Sequence, residues 1–232
     1  MNRILIVFGF LLISLPTVAQ EKSVRPGINK PFENPDVKGF LEKFEVESRE
    51  IFAQRKAIVA ACKIKPGTAV ADIGAGTGLF TRLFAKEVGD KGKVYAVEIS
   101  KGFLGHIDKT CMAQGIKNVA GVLCDQTSTN LPERSIDLAF VCDTYHHFEF
   151  PRKTLQSIHR ALKPGGQLMV IDFKRVQGTS SEWVMNHVRA GQEVLSAEIR
   201  DAGFKQLDEI KMLKENYFLR FERLEPAAKE KK

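Results

Sequence analysis

Residues 70–78 read Val-Ala-Asp-Ile-Gly-Ala-Gly-Thr-Gly, and no other stretch constrains the fold as tightly. An apolar, β-branched run enters it, three alternating glycines follow, and Leu79-Phe80-Thr81-Arg82-Leu83-Phe84 opens a helical pattern. The order is strand, tight turn, helix N-terminus. Gly74, Gly76 and Gly78 let the backbone turn sharply and bring main-chain N–H groups close to a ligand. A dinucleotide fingerprint spaces its glycines G-x-G-x-x-G and seats a pyrophosphate on the helix. Here the third glycine comes one residue early and Leu79 holds its place. Asp72, at the end of the strand, would repel a phosphate and suits a ligand carrying an ammonium or sulfonium charge.

An acid followed by G-x-G-x-G resembles the first motif of the class I S-adenosylmethionine (SAM) dependent methyltransferases. Further segments fall at matching distances. Lys93 to Glu98 reads as a second strand ending in an acid 20 residues after Gly78. A carboxylate there can accept both hydroxyls of a ribose, as in dinucleotide folds. Asn118 to Leu123 reads as a third strand, followed by Cys124-Asp125, where an acid can accept a hydrogen bond from an adenine amino group. Asp125 before Gln126-Thr127-Ser128 could also simply cap a turn. Ser135 to Cys142 reads as a fourth strand, and Arg160 to Gly166 leads into a fifth from Gln167 to Asp172. The latter segment resembles the post-motif turn of methyltransferases that act on small molecules, including those of quinone biosynthesis (type 11/25-like). The resemblance covers about residues 56–225. It implies an α/β, Rossmann-like seven-stranded sheet in the order 3-2-1-4-5-7-6. It also implies SAM as cofactor and a small-molecule acceptor. Asp72, Gly74, Ala75, Gly76 and Gly78 would then hold the methionine end, Glu98 and Ile99 the ribose, Asp125 and Gln126 the adenine, with Cys142 beside them.

Asp143-Thr144-Tyr145-His146-His147 follows the fourth strand at the edge where open α/β sheets bind ligands. Either imidazole can accept a proton near neutral pH, so His146, His147 and Asp143 are the candidate catalytic residues. A histidine packed under the helix near Pro151 is the competing reading. A sulfonium donor also needs only proximity and alignment from its enzyme. Tyr145, Trp183, His187 and Arg189 are candidate substrate contacts, the last three from the segment after the fifth strand, where family loops cover the substrate. Helical periodicity from Val37 to Cys62, after Asn34-Pro35-Asp36, predicts a leading helix over the cofactor pocket, with Glu45, Arg49, Glu50 and Arg55 lining it or forming a solvated charged face. Gln192 to Ala202 reads as a helix ending at Gly203. Phe204 to Leu213 and Asn216 to Leu224 read as an antiparallel C-terminal hairpin, which a dinucleotide fold would lack. Two other functions are weighed: an NAD-dependent Rossmann oxidoreductase, opposed by Leu79 and the hairpin, and an exported SAM- or nucleoside-binding module without turnover.

The ends read differently from the middle. Arg3, the apolar run Ile4 to Leu15 and Thr17-Val18-Ala19 make a secretory signal over 1–19, too short for a comfortable membrane span. Export to the periplasm or medium is expected, with an uncleaved membrane anchor as the alternative. Residues 20–62 then form an N-terminal segment and cap, 63–225 the methyltransferase domain and 226–232 a charged tail. Cys62, Cys111, Cys124 and Cys142 show no C-x-x-C or Cys/His ligand spacing, so they read as free thiols and no metal is expected. The net charge of +7 is spread along the chain without an aromatic–basic stripe. No nucleic-acid partner is expected from it, and weak attraction to anionic membrane surfaces is the second reading of that charge.

Overall fold

The computed structural model describes residues 22–225. The signal expected over 1–19 and the charged tail expected over 226–232 lie outside the described residues. Within them, four short helices lead the chain: α1 (Lys30–Glu33), α2 (Val37–Phe44), α3 (Glu50–Ala53) and α4 (Arg55–Ala61). Strands and helices then alternate: β1 (Ala69–Ile73), α5 (Leu79–Val88), β2 (Lys93–Glu98), α6 (Lys101–Ala113), β3 (Val119–Leu123), β4 (Ile136–Cys142), α7 (Pro151–Ala161) and β5 (Leu162–Phe173). A 3-10 turn, Tyr145–His147, follows β4. Two more helices, α8 (Glu182–His187) and α9 (Gln192–Asp201), precede β6 (Phe204–Glu209) and β7 (Asn216–Arg223).

One seven-stranded sheet results, in the order β3-β2-β1-β4-β5-β7-β6. The first five strands are parallel, and β7 enters antiparallel between β5 and β6. The inner parallel strands are apolar on both faces because helices cover both. Alternation along each strand sorts its side chains into two layers. Ala139 and Val141 of β4 meet Leu155 and Ile158 of α7 and Ile199 of α9. Leu138 and Phe140 of the same strand meet Ile58 of α4 and Phe80 and Phe84 of α5. Phe140 lies 4.8 Å from the Phe80 ring and 4.9 Å from the Phe84 ring. The seven-stranded order is the one the family resemblance implied, and the antiparallel terminal pair is the hairpin read from the residues.

Three boundaries differ from the sequence reading. The leading helix expected over Val37 to Cys62 is three pieces, α2, α3 and α4; between α2 and α3, Glu45, Glu47 and Arg49 turn away from a common helical face to pair with Arg82, Arg55 and Asp143. β5 begins five residues early, at Leu162, and carries Gly165 at φ +72° through an irregular register opposite Ile136 and Leu138. β6 stops at Glu209, and Leu213 packs into the core from the connection to β7. Glu50 holds that connection by accepting the N–H groups of Lys214 and Glu215 at 2.7 and 2.8 Å. All four cysteines are free.

Candidate active site

A cavity of about 560 Å³ opens at the C-terminal ends of the parallel strands, beneath the N-terminal segment. Its size falls within the ~300–1,000 Å³ of small-molecule sites. At one end lies the glycine turn. Gly74 and Ala75 donate to Val97 O at 2.8 and 3.1 Å, which fixes the turn to β2. Gly76 donates to Glu98 Oε2 at 2.9 Å, and Glu98 Oε1 accepts from Ile99 at 2.8 Å and Ser100 at 3.1 Å. Glu98 therefore spends three of its roughly four acceptor positions on the backbone. Burial pushes its carboxyl up, against those hydrogen bonds.

The three glycines have separate tasks. A Cβ on Gly74 would stand 2.2 Å from Thr144 Cγ2, whereas one on Gly76 would meet nothing closer than Gly74 O at 4.0 Å. Gly76 thus faces open cavity, while Gly74 is closed by the chain after β4. Gly78, at φ +79°, caps α5 and does not line the cavity, so its assigned ligand contact is corrected to a role in the turn. Its absent Cβ leaves room for Ile107.

Asp72 is buried in the cavity floor and accepts from Thr81 Oγ1 at 2.6 Å. Burial pushes its carboxyl up to about 6, with the Thr81 hydrogen bonds pulling the other way. An unfolded Asp holds its proton only to about 3.9. Between these values the folded chain binds more protons, so stability falls as pH rises from about 4 to about 6. Asp72→Asn should remove that decline, worth up to about 3 kcal/mol. Urea titrations at several pH values check this, and an unchanged slope in the variant would exonerate Asp72. Asp125 borders the cavity but is exposed; its Oδ1 accepts from Thr127 N, Thr127 Oγ1 and Ser128 N at 2.7, 2.7 and 2.9 Å. Partial burial raises its carboxyl, but those hydrogen bonds outweigh it and hold the group below its ordinary range. The residue that caps this turn thus also borders the cavity. Ala75, Ile99, Gln126 and Cys142 also line the cavity.

At the other end the 3-10 turn after β4 aims His146 and His147 inward, and α8 adds His187 and Trp183. His146 is buried, and its Nδ1 lies 2.8 Å from Asp172 Oδ1. An ionised carboxylate only accepts, so Nδ1 carries the proton and Nε2 keeps a lone pair. Asp172 also accepts the His146 and Phe173 N–H groups, at 3.0 and 2.8 Å. His147 sits differently. Burial first, then the neighbouring His146, pushes it down to about 2, so it stays neutral and is a poor general base. Its Nδ1 lies 3.2 Å from Asn29 Oδ1.

Three assigned contacts are corrected. Asp143, in the left-handed region at φ +48°, pairs with Arg49 and accepts from Asn216 Nδ2 at 2.6 Å. With both oxygens engaged, it positions the turn and is not placed to take a proton. Tyr145 and Arg189 do not line the cavity. The Tyr145 hydroxyl donates to Glu198 at 2.7 Å, and Arg189 forks onto the same carboxylate at 3.0 and 2.5 Å. Of the four charged residues expected over the pocket, Arg49 lines it; Glu45 instead pairs with Arg82 at 2.9 Å.

The sequence reading missed the apolar cover. Phe32, Phe40 and Phe44 come down from the N-terminal segment, and Phe103, Phe148 and Phe173 rise to meet them. Asn29 pins this cover: its amide nitrogen donates to Gln126 Oε1 at 2.8 Å and to His147 O at 3.0 Å. The signal available in sequence was the helical spacing of Phe40 and Phe44 in a leading helix expected over the pocket, where the charged residues rather than the phenylalanines were taken to line it.

Comparison with known proteins places residues 70–166 in a match to the methyltransferase domain family. The ubiquinone/menaquinone biosynthesis C-methyltransferase UbiE of Hydrogenovibrio crunogenus is 28% identical over 170 residues, 73% of this chain and 65% of that protein. Its counterpart in Paraburkholderia phytofirmans is 30% identical over 118 residues, 51% of this chain and 48% of that protein. The chain thus spans about half to two thirds of the length of these curated relatives. A SAM-dependent methyltransferase from Aquifex aeolicus has the same fold, with a TM-score of 0.73 and 23% identity, covering 82% of this chain and all of that one.

Proposed function

We propose that the chain is a class I SAM-dependent methyltransferase with SAM as its methyl donor, and that its acceptor is a small, flat, largely apolar molecule with one ionisable hydroxyl. The observation that carries this is the cavity itself. It runs without interruption from the glycine turn to the histidines, under a wall of phenylalanines and Trp183. The curated relatives carry the name of C-methyltransferases of ubiquinone/menaquinone biosynthesis, which supports a quinone-class ring as the acceptor.

The residues fit the donor. Gly76 leaves vacant the space that a Cβ would fill, and Asp72 and Glu98 are buried acids that form no ion pair among the described residues. Asp72 would face the charged methionine end and Glu98 the ribose, with Asp125 and Gln126 at the adenine. When bound, SAM supplies a methyl group already activated by its sulfonium. The protein's share is then to exclude water, align the acceptor and receive its proton. The phenylalanine cover excludes water. Nε2 of His146 can hold the acceptor's hydroxyl proton, and Asp172 behind the ring would stabilise the resulting imidazolium.

Calorimetry with SAM and S-adenosylhomocysteine, followed by labelled-methyl transfer to phenols, quinols and amino compounds, tests this reading. Transfer confined to the apolar ring compounds is expected. Binding without transfer to any of them would favour the non-catalytic module. Glu98→Ala should weaken SAM binding by about 1.5–3 kcal/mol, the scale of hydrogen bonds to a charged group. Unchanged affinity would remove Glu98 from the donor site.

We also propose export, on the strength of the N-terminal signal. The mature protein from its native cell should then begin at or near Gln20, with Arg3 and the apolar run removed. N-terminal sequencing decides this: Met1 in the cytoplasmic fraction overturns export, and Met1 in the membrane fraction indicates the anchored form.

A further inference from the structure

We propose that His146, His147 and His187 form a binding site for a late first-row divalent cation of the zinc class, at the acceptor end of the cavity. One ligand atom from each ring lies within 4.8 Å of the other two. The Nε2 atoms of His147 and His187 lie 3.4 Å apart. That is beyond the ~2.7–3.2 Å preferred by a hydrogen bond to nitrogen-bound hydrogen. It equals the separation, roughly 3.3–3.4 Å, of two imidazole nitrogens on one tetrahedral zinc at ~2.0–2.1 Å.

The tautomers point the same way. Asp172 takes the Nδ1 proton of His146, which leaves Nε2 free; among the described residues Nε2 has no hydrogen-bond partner. Asn29 donates through its amide nitrogen to Gln126 and to His147 O, so its Oδ1 is the atom facing His147 and accepts from Nδ1. Nε2 of His147 therefore also presents a lone pair. A ligating histidine is ordinarily held in this way, with its second nitrogen donating to a carboxylate or carbonyl behind it. His187 is held by packing, its ring stacked on Trp183 at 4.6 Å and 19°.

Ligand chemistry selects the ion. Three neutral imidazoles suit zinc, copper, nickel or iron and not magnesium or calcium, which take oxygen ligands. Asp172 contributes negative charge behind His146, while Arg25 opposes it, its guanidinium near enough to depress both His147 and His187. Three protein ligands leave a coordination position open, and all three rings line the cavity. An acceptor hydroxyl bound there would release its proton to water more readily and be held as its conjugate base, the form that attacks the methyl group. The ion would then stand where the proposed mechanism puts a proton on His146. That consequence rests on the methyl-transfer reading; the binding of the ion does not.

The test uses the full chain, stripped with a chelator and titrated with Co²⁺ alone. One equivalent should bind with the visible absorption of nitrogen-ligated cobalt, and Zn²⁺ should displace it. His147→Ala and His187→Ala should each weaken Co²⁺ binding at least about 10-fold, the scale seen even for loss of outer-shell partners. Retained S-adenosylhomocysteine binding shows that these variants are folded; His187 lies on a short, half-exposed helix and is the safer of the two. Absence of saturable one-equivalent binding overturns the site, as does wild-type affinity in both variants. Failure of the methyl-transfer reading would show in the SAM calorimetry and leave the cobalt titration unchanged.

Discussion

Gly74→Val is expected to destabilise the folded protein by about 3–5 kcal/mol, combining a strained left-handed backbone with an overpacked contact. The residue has φ +72°, and its new Cβ would stand 2.2 Å from the Cγ2 and 2.5 Å from the Oγ1 of Thr144. Thr144 cannot retreat cheaply. It is short and β-branched, and its hydroxyl donates to Cys142 O at 2.9 Å. Gly76→Val makes the informative contrast. That side chain enters open cavity, so the cost to folding should be only the ~1–3 kcal/mol of backbone strain. SAM binding, however, should be lost. Urea denaturation and calorimetry on the two variants measure both quantities. A wild-type midpoint for Gly74→Val would mean that Thr144 does not close the turn, and normal SAM binding by Gly76→Val would sink the glycine-loop assignment.

His146→Ala should lower the turnover number by about 100-fold or more, the range for a lost proton acceptor. SAM affinity should change little, because the ring lies at the far end of the cavity from the glycine turn. The variant should also fold. Asp172 keeps two backbone donors, His146 N and Phe173 N, so its burial remains partly satisfied at a cost of about 1–3 kcal/mol. Single-turnover transfer with saturating SAM is the measurement. Wild-type turnover would show that alignment alone suffices and that His146 only packs.

The strands were legible because buried parallel strands read as near-continuous apolar runs: Val94–Val97 is unbroken, and Val70–Ile73 and Ile136–Val141 are each interrupted by a single aspartate, Asp72 and Asp137. The proposed donor half of the cavity was legible for a related reason: each assigned residue lies at, or within a few residues of, the C-terminal end of a parallel strand, so sequence position and spatial position coincide. The acceptor half was not. Tyr145 and His146 are neighbours in the chain, yet the 3-10 turn sends one ring toward Glu198 and the other into the cavity. No periodicity announces that divergence. His187 lies 40 residues from His147 and reaches it only because α8 folds back over β5, so spacing rules for metal ligands could not register the group. The broken leading helix failed to show for the opposite reason. Its apolar pattern is helical, but long-range ion pairs from Glu45 and Arg49 decided where it breaks.

Asn29 joins what would otherwise be two independent compartments. Its single amide touches Gln126 on the proposed adenine side and both the backbone and the ring of His147 on the proposed acceptor side. The segment carrying it is tied down by Ser23, Val24 and Gly27, all on Glu149. A donor that draws Gln126 into place therefore also orders the histidine end, and an acceptor that orders His147 strengthens the seat of the donor. Linkage makes the two effects equal in free energy. The two ligands should consequently bind with positive cooperativity, and the spent donor should leave more readily once the methylated product has gone.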